Sequence, residues 1–449
     1  MVTRAEFLAR SAGAVLALAG GAAAPRFRSR PDLQPPPVRI LRRSSGTAPG
    51  YLFLAPSSGP GQHGPMIVDD AGEVVWFHPT GGPAMNFRAA TFHGRPVLTW
   101  WEALPGGGLG RGEHVVADDS YREIARFQAG HGMKSDLHEL LLTSRGTALV
   151  TSFEVRRRGA GGLTMGGVVQ ELEVPGARVL FEWRSLDHVA VDESYSPVGY
   201  PWDYFHVNSV DVDADGHLLV SARNTWAVYK VHRRTGAVLW RLGGKRSDFA
   251  LGPGARFAWQ HDARSHDGGR VLSVFDNGVS RSRGLVLGLS GRRATVLHEY
   301  VHDPVLHAHK LGSVQLLGNG DVLVGWGTDP HFTEYGHAGA VKLDATLPHG
   351  GENYRTLRFP WTGRPREGPH AVVRGSTVYA SWNGATDVDG WRLMAGPSTD
   401  QLTMVDSSPR GGFETAMVTR TTEPWVAVQA VDAQGSVMGI SKPASVART

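Results

Sequence analysis

Three histidines of this sequence stand at matching places in a repeated pattern of short strands. His138, His206 and His261 each open a short strand, and a polar turn containing glycine leads into a second strand. A neutral imidazole acts as a nucleophile or as a base near neutral pH. Because an ordinary hairpin has no structural need for histidine at this place, the pattern predicts one site that uses all three.

Two further polar residues lie close to these histidines in the pattern. Asn208 follows His206 by two residues, which places it on the same face of the predicted strand, and Arg223 ends the partner strand. A guanidinium fork and an amide N–H both suit the oxygens of a tetrahedral anion. Since no carboxylate pair accompanies them, the set indicates an anion site, with Glu139 and His309 as additional candidates.

Two other interpretations use the same histidines. Three histidines are the usual ligand set of a catalytic zinc ion, which would make the protein a metal-dependent hydrolase. A fixed arginine beside them would repel a cation, so the sequence favours a site without metal or cofactor. The second alternative is a domain that only binds a glycan, a peptide or an anion, because a fold does not determine its function.

The strands that carry the histidines predict an all-β fold. Copies of the hairpin begin near His138, His206, His261 and Gly312, at intervals of about 50 to 70 residues, which is close to the period of four-stranded propeller blades. A fifth, shorter copy runs over residues 370–382. We therefore predict a single β-propeller of about six four-stranded blades over residues 40–449, with residues 425–432 as its closing strand.

A propeller also explains why one residue type returns at one place. Equivalent positions on the inner strands point to a common central channel, so the histidines are expected to meet at one mouth of it. A β-sandwich or jelly roll is the alternative fold, but neither predicts this recurrence. The composition agrees with many tight turns, since the chain has 58 glycines and 27 prolines without a three-residue period.

Composition also limits the chemistry and the partners. The absence of cysteine excludes disulfides, thiolate nucleophiles and cysteine-ligated zinc. The formal net charge is +4 and its basic residues are scattered, so a nucleic-acid partner is not expected.

The first 24 residues have the features of an export signal. Two arginines precede an alanine-rich apolar run and a stretch of small residues. The segment around Arg4 resembles the twin-arginine export pattern, with Ala5 in place of the second arginine. The apolar run is too short to span a bilayer, and no stable membrane insertion is expected. We predict an exported protein, periplasmic or extracellular, whose proline-rich linker over residues 25–39 precedes the propeller.

The motifs around the histidines resemble those of a known family. Asp203-Tyr204-Phe205-His206-Val207-Asn208-Ser209, Ser221-Ala222-Arg223, Gln260-His261 and Phe275-Asp276-Asn277-Gly278 are similar to the bacterial arylsulfate sulfotransferase family, in its actinobacterial and fungal arylsulfotransferase-like branch. The likeness extends over most of the chain from about residue 35. It implies a six-bladed propeller that moves a sulfuryl group from an aryl sulfate to a phenol, without a nucleotide sulfate donor.

The resemblance also implies a role for each site residue. His261 would be the nucleophile and carry the sulfuryl group as sulfohistidine in a ping-pong mechanism, with His206, Asn208, Arg223 and His138 around it. The implied partners are small-molecule phenols and aryl sulfates. Arg223 and Asn208 would stabilise the charge that develops on the oxygens, and His206 or His138 would exchange the proton.

Overall fold

The computed structural model describes residues 26–105, 110–159 and 162–446, and it consists almost entirely of β-strands. The predicted export signal lies outside the described residues. In the described ranges the only α-helix is α1 (Ser185–His188), and no helix there has the length and apolar character to cross a membrane. The predicted all-β fold is confirmed.

The strands are numbered in chain order. The first seventeen are β1 (Arg39–Arg43), β2 (Tyr51–Leu54), β3 (Met66–Val68), β4 (Val74–Phe77), β5 (Ala84–Phe92), β6 (Arg95–Ala103), β7 (Gly112–Asp118), β8 (Glu123–Phe127), β9 (Leu140–Leu142), β10 (Thr147–Arg158), β11 (Gly162–Glu173), β12 (Val179–Arg184), β13 (Trp202–Asp203), β14 (Val207–Val212), β15 (Leu218–Ala222), β16 (Ala227–Val231) and β17 (Val238–Gly243). The others are β18 (Ala250–Leu251), β19 (His261–His266), β20 (Val271–Asp276), β21 (Arg283–Ser290), β22 (Arg293–Tyr300), β23 (Ser313–Leu316), β24 (Val322–Gly325), β25 (His331–Tyr335), β26 (Val341–Thr346), β27 (Leu357–Phe359), β28 (His370–Arg374), β29 (Thr377–Ser381), β30 (Gly390–Gly396), β31 (Thr403–Pro409), β32 (Glu414–Val418), β33 (Trp425–Val431), β34 (Val437–Ile440) and β35 (Ala444–Ser445).

The first 27 strands form six sheets around a central channel, in which the strand pairs are antiparallel except for β13 with β11 and β18 with β22. In the order of the ring the sheets are β27 with β2–β4, β5–β8, β9–β12, β14–β17, β18–β22 and β23–β26 with β1. The innermost strands β27, β5, β9–β10, β14, β19 and β23 contact one another in turn, and β23 contacts β27 again. This closed ring of sheets is a β-propeller, and its sheets are called blades 1 to 6 below.

The blades are buried on both faces, which the strand sequences reflect. All five residues of β15, Leu-Leu-Val-Ser-Ala, are buried, because each blade packs against a neighbour on either side. The hairpin from β14 to β15 turns at Gly216, whose φ of +79° lies in the left-handed region that glycine adopts without steric cost. These turns lie where the inner strands end. The residues that begin the inner strands therefore lie at the opposite mouth of the channel.

Ring closure differs from the prediction. Strand β27 pairs antiparallel with β2, so blade 1 combines three early strands with a late one. The prediction that residues 425–432 close the ring is wrong, because β33 pairs with β30, β34 and β35 instead.

A C-terminal sandwich follows the ring. Its two sheets, β28-β29-β32 and β31-β30-β33-β34, share a hydrophobic core that includes Val378, Trp391, Leu393, Met417 and Val428. The predicted propeller boundary of 40–449 is therefore wrong at its C-terminal end, since the ring ends at β27. The fifth hairpin copy, residues 370–382, belongs to this sandwich, because alternating hairpins look alike in a blade and in a sandwich.

The predicted linker contacts both units. Leu33 is buried in the core of blades 1 and 6, and the ring of Phe27 lies 4.1 Å from that of Phe413 in the sandwich. Ser29 donates its backbone N–H to Glu414 at 2.6 Å. The segment therefore joins the propeller to the sandwich by packing.

Arg358 on β27 connects the two blades that meet at the closure. Its Nη1 donates to the carbonyl of Gly50 at 3.0 Å, and its Nη2 donates to Asp70 Oδ1 at 2.7 Å, both in blade 1. Its Nε lies 2.9 Å from Oε2 of Glu334 in blade 6, and the side chains of Arg358 and Glu334 are both 0% exposed. Removing one partner of such a pair leaves an uncompensated buried charge.

We expect Arg358→Ala to lower the free energy of unfolding by about 3–5 kcal/mol, because Glu334 then has no cation beside it. Urea unfolding of the full chain measures the change. Arg374→Ala removes an exposed arginine at the end of β28 and should change stability by no more than about 0.5 kcal/mol. Equal effects of the two substitutions would contradict the proposed role of Arg358 in closure.

Candidate active site

The three histidines of the repeat lie together at one mouth of the channel. His138 precedes β9, His206 precedes β14 and His261 begins β19, so they come from blades 3, 4 and 5. The ring of His138 lies 5.1 Å from that of His206 and 6.5 Å from that of His261. The structure thus brings together the three residues that the repeat selects.

The backbone bends where these histidines enter their strands. His206 has a φ of +57°, in the left-handed region that costs a residue other than glycine about 1–3 kcal/mol. A β-bulge follows between Val207 and Ser209, and another lies between His261 and Arg264. Bulges and strained residues of this kind redirect side chains and are frequent at functional sites.

Two of the histidines have a carboxylate partner. His138 Nδ1 lies 2.7 Å from Asp136 Oδ2, and His206 Nδ1 lies 2.5 Å from Asp203 Oδ2. Burial alone would raise the pKa of Asp136, but the neighbouring His138 and its hydrogen bond lower that pKa overall. In each pair Nδ1 is held by the carboxylate, so Nε2 is the nitrogen that remains to exchange a proton. Neither aspartate was predicted to be a site residue, although Asp136 and Asp203 precede their histidines by two and three residues.

His261 has an amide partner instead. Its Nδ1 lies 2.7 Å from Oδ1 of Asn277, whose Nδ2 donates to the carbonyls of Ala308 and Leu311. With Asn277 oriented in this way, Nδ1 of His261 carries the proton and donates it. Nε2 accepts the backbone N–H of Leu311 at 3.3 Å.

This environment keeps His261 neutral. Burial lowers its pKa well below the usual value, and the nearby positive charge of Arg223 lowers it further. The hydrogen bond that Nδ1 donates to Asn277 acts in the opposite direction but does not outweigh them. His261 therefore presents an uncharged Nε2 with a lone pair at neutral pH.

Arg223 is a cation without a carboxylate partner. Its guanidinium lies over the ring of Trp259, 4.7 Å from the centroid, and Nη2 donates to the carbonyl of His309 at 3.0 Å. No ion pair among the described residues includes Arg223, while burial lowers its pKa. A half-buried guanidinium in this state suits an anionic ligand. His309 contributes its backbone carbonyl, and its side chain is exposed.

Asn208 departs from the predicted geometry. The bulge after Val207 breaks the strand alternation, so the expectation that Asn208 shares a face with His206 does not hold. Its Nδ2 donates to the carbonyl of Gln260 at 2.6 Å, and its buried Oδ1 has no partner in the described part of the chain. One of the two amide hydrogens of Asn208 is therefore already used in a hydrogen bond to the backbone.

Tyr354 forms the floor of the site. Its ring lies 5.6 Å from the ring of His138 and 6.2 Å from that of His261. Its hydroxyl donates to the carbonyl of Asn208 at 2.7 Å, and burial raises its pKa, so the hydroxyl stays protonated. Tyr354 lies between β26 and β27, where the sequence has no repeat or motif to select it.

A layer of ion pairs lies below this floor. Glu139 contacts Arg355 at 3.0 Å and Arg264 at 2.7 Å, and Asp262 contacts Arg355 at 3.0 Å. Burial would raise the pKa of Glu139, but Arg264 and Arg355 lower it to about 2. Glu139, a candidate for the site, is therefore an ionised partner of two arginines. In the described ranges no group of three histidine or carboxylate side chains is placed to hold a metal ion.

Solved structures similar to this chain share little sequence with it. A protein of unknown function from Bacteroides caccae is 15% identical, with 69% of this chain and 98% of that one covered and a TM-score of 0.42. A streptogramin B lyase is 10% identical over 76% and 93% of the two chains, with a TM-score of 0.38. Virginiamycin B lyase from Staphylococcus aureus is 9% identical over 77% and 96%, with a TM-score of 0.34. No curated protein matches the chain.

The comparison with protein families gives a direct assignment. The arylsulfotransferase (ASST) family matches residues 88–347, which is more than half of the chain and contains His138, His206, Arg223 and His261. This match confirms the resemblance found in the motifs. The chain belongs to the arylsulfotransferase family.

Proposed function

We propose that this protein transfers a sulfuryl group from an aryl sulfate ester to a phenol, and that His261 carries the group between the two substrates. Membership of the arylsulfotransferase family supports the reaction class. The observation that carries the proposed mechanism is the state of His261, a neutral imidazole whose Nδ1 is held by Asn277 and which lies near an unpaired arginine.

Arg223 is the anchor for the donor. A sulfate monoester has one negative charge, and a second develops on the phenol oxygen as its bond to sulfur breaks. A guanidinium that has no carboxylate partner is able to bind two sulfuryl oxygens through its planar fork. Arg223 is half-buried, lies over Trp259 and donates to Asn224 Oδ1 as well as to the His309 carbonyl, so it stabilises this charge with little reorganisation.

In the first half-reaction Nε2 of His261 attacks sulfur. The nitrogen–sulfur bond forms as the bond from sulfur to the aryl oxygen breaks, and the phenolate takes a proton from His206. We assign the proton to His206 because its side chain is 27% exposed, against 8% for His138. Asp203 holds its Nδ1, so Nε2 faces the leaving oxygen and delivers the proton.

The second half-reaction reverses these roles. His206 accepts the proton of the acceptor phenol, whose oxygen attacks sulfur, and the bond between sulfur and Nε2 of His261 breaks. His261 returns to its neutral form with the Nδ1 proton still donated to Asn277. One site serves both substrates because donor and acceptor are both phenolic.

Access to His261 requires a local change at Leu311. His261 is 1% exposed, and its Nε2 receives the Leu311 N–H at 3.3 Å, which is a long hydrogen bond. The donor has to displace this N–H before sulfur reaches Nε2. The displaced amide then becomes a hydrogen-bond donor beside the sulfuryl oxygens.

We expect His261→Ala to abolish both transfer and covalent labelling, because no carrier nitrogen remains. Intact mass after mixing with a chromogenic aryl sulfate alone, followed by peptide mapping, locates the sulfuryl group in the wild-type protein. His309→Ala removes an exposed imidazole of the same mouth and should still be labelled. A chelator should leave the wild-type rate unchanged. An adduct on another residue, or initial-rate lines that intersect instead of running parallel, would exclude His261 as the carrier.

We expect Asn277→Asp to make the reaction more sensitive to acid. A carboxylate at Nδ1 favours imidazolium and raises the pKa of His261, so less of the neutral nucleophile is present at pH 6 than at pH 8. The wild-type protein keeps His261 neutral over this range, because burial and Arg223 hold its pKa low.

The profile of kcat/KM against pH measures the effect of Asn277→Asp. Asn319→Asp, in the exposed turn between β23 and β24, makes the same chemical change far from the site and should retain the wild-type profile. If the acid limbs of Asn277→Asp and wild type coincide, the tautomer assigned to His261 is wrong.

We expect Arg223→Lys to lower kcat/KM by about 10²–10³-fold, since the ammonium keeps the charge but cannot bind two oxygens in one plane. Arg270→Lys is the matched control, because Arg270 is exposed at the turn after β19, at the other end of that strand from His261. Steady-state kinetics with the aryl sulfate compare the two. A loss below tenfold for Arg223→Lys would show that a point charge is sufficient.

A further inference from the structure

A cavity lies at the ends of the inner strands opposite the histidine site, and it is called the second cavity below. It has a volume of about 200 Å³ and is lined by the far ends of inner strands, including Asp211 of β14, Ser265 and His266 of β19 and Gln315 of β23. One water molecule takes up roughly 30 Å³ in the liquid, so the cavity has room for a larger ligand. The ion pairs of Glu139 and Arg355 lie between this cavity and the floor formed by Tyr354.

Three arginines line the cavity, and two of them are fully engaged. Arg264 contacts Glu139 at 2.7 Å and Asp262 at 2.8 Å. Arg355 contacts the same two carboxylates, each at 3.0 Å. Their charges are therefore compensated within the layer.

Arg88 is the third arginine, and it has no such partner. Its guanidinium carbon lies 6.0 Å from the centroid of the Phe359 ring. Within the described residues the Arg88 guanidinium has neither a hydrogen-bond acceptor nor a carboxylate at ion-pair distance. Desolvation and the charge of Arg264 lower its pKa to about 10, although the more distant charges of Glu139 and Asp262 act in the opposite direction, so the group carries its charge at neutral pH.

The buried arginines among the described residues are all paired. Arg355 has Glu139 and Asp262, Arg358 has Asp70 and Glu334, and Arg283 has Asp276 at 2.8 Å. Arg88 is half-buried, and a partly desolvated cation without an ion-pair partner is stabilised when an anion reaches it.

Arg88 and Arg223 differ from these paired arginines. Neither has a carboxylate partner, and they occupy opposite ends of one channel. At the histidine end the missing partner is explained by an anionic substrate. The same physical argument applies at the other end, where Arg88 lines the cavity together with His266.

We propose that this second cavity binds a small oxyanion, with the guanidinium of Arg88 as its main ligand. The planar fork of Arg88 suits two oxygens of a sulfate-sized or carboxylate-sized anion. Arg264 and Arg355 add positive charge next to it. The bound anion neutralises the positive charge of Arg88 and so stabilises the ring of blades. It takes no part in the chemistry at the histidines.

Thermal unfolding of the full chain tests the proposal. Sodium sulfate is raised through the millimolar range while sodium chloride holds the ionic strength constant. We expect a saturable rise of the wild-type Tm by about 2–4 °C, because a ligand that binds only the folded state stabilises it. Arg88→Met, which keeps much of the side-chain length without charge, should lose the part of this rise that Arg223→Met retains.

Arg223→Met separates the two ends of the channel. It removes the arginine of the histidine site and should retain the sulfate-dependent rise, so this result does not depend on the proposed sulfotransfer. If Arg88→Met does not fold, Arg88→Lys is used, and a sulfate response at least threefold weaker than that of wild type is expected because the fork is lost.

Crystals grown with sodium selenate provide a direct position for the anion. Anomalous density within hydrogen-bond distance of the Arg88 guanidinium is expected. The proposal is overturned if wild type and Arg88→Met respond equally to sulfate, or if selenate appears only beside Arg223.

Discussion

The buried ion pairs of Arg355 hold the channel together and position the site above them. Arg355 contacts Glu139 of blade 3 and Asp262 of blade 5, and its guanidinium also donates to Asn86 of blade 2. It comes from the segment just before the closing strand β27. Because a buried charge that loses its partner costs several kcal/mol, these contacts fix the relative positions of the inner strands. The same guanidinium donates to the Tyr354 hydroxyl at 3.3 Å, so the floor of the site depends on it.

On this fixed frame, three identical side chains acquire different chemistry from their Nδ1 partners. His138 and His206 each have an aspartate at Nδ1, whereas His261 has the neutral amide of Asn277. Burial and the charge of Arg223 then keep His261 unprotonated. The difference between a carboxylate and an amide therefore separates a candidate nucleophile from a candidate acid, a common way for one site to hold both functions.

The sequence allowed the all-β fold and the three histidines to be predicted because inner-strand positions repeat and their side chains meet on one axis. Asp136 and Asp203 could also have been found, since each lies just before its histidine. Tyr354 could not be predicted. The histidines that it contacts lie more than 90 positions away in the sequence, and its own segment has no repeat or motif. Asn208 was misplaced because a bulge, which no residue type marks there, breaks the alternation. The C-terminal sandwich was missed because its hairpins have the period of blade hairpins.

Added strands and the C-terminal sandwich cover the exposed outer edges of three blades. Strand β1 pairs with the outer strand of blade 6, and β18 pairs with that of blade 5. At blade 1 the side chain of Asn383 bonds the backbone N–H and carbonyl of Phe77 at 3.0 and 2.9 Å, and Gly384 N–H donates to Val75. Unpaired strand edges promote association between chains, and covering them prevents it. Strands β1 and β18 and the sandwich therefore protect the rim of the propeller, while the loops that precede the inner strands form the histidine mouth.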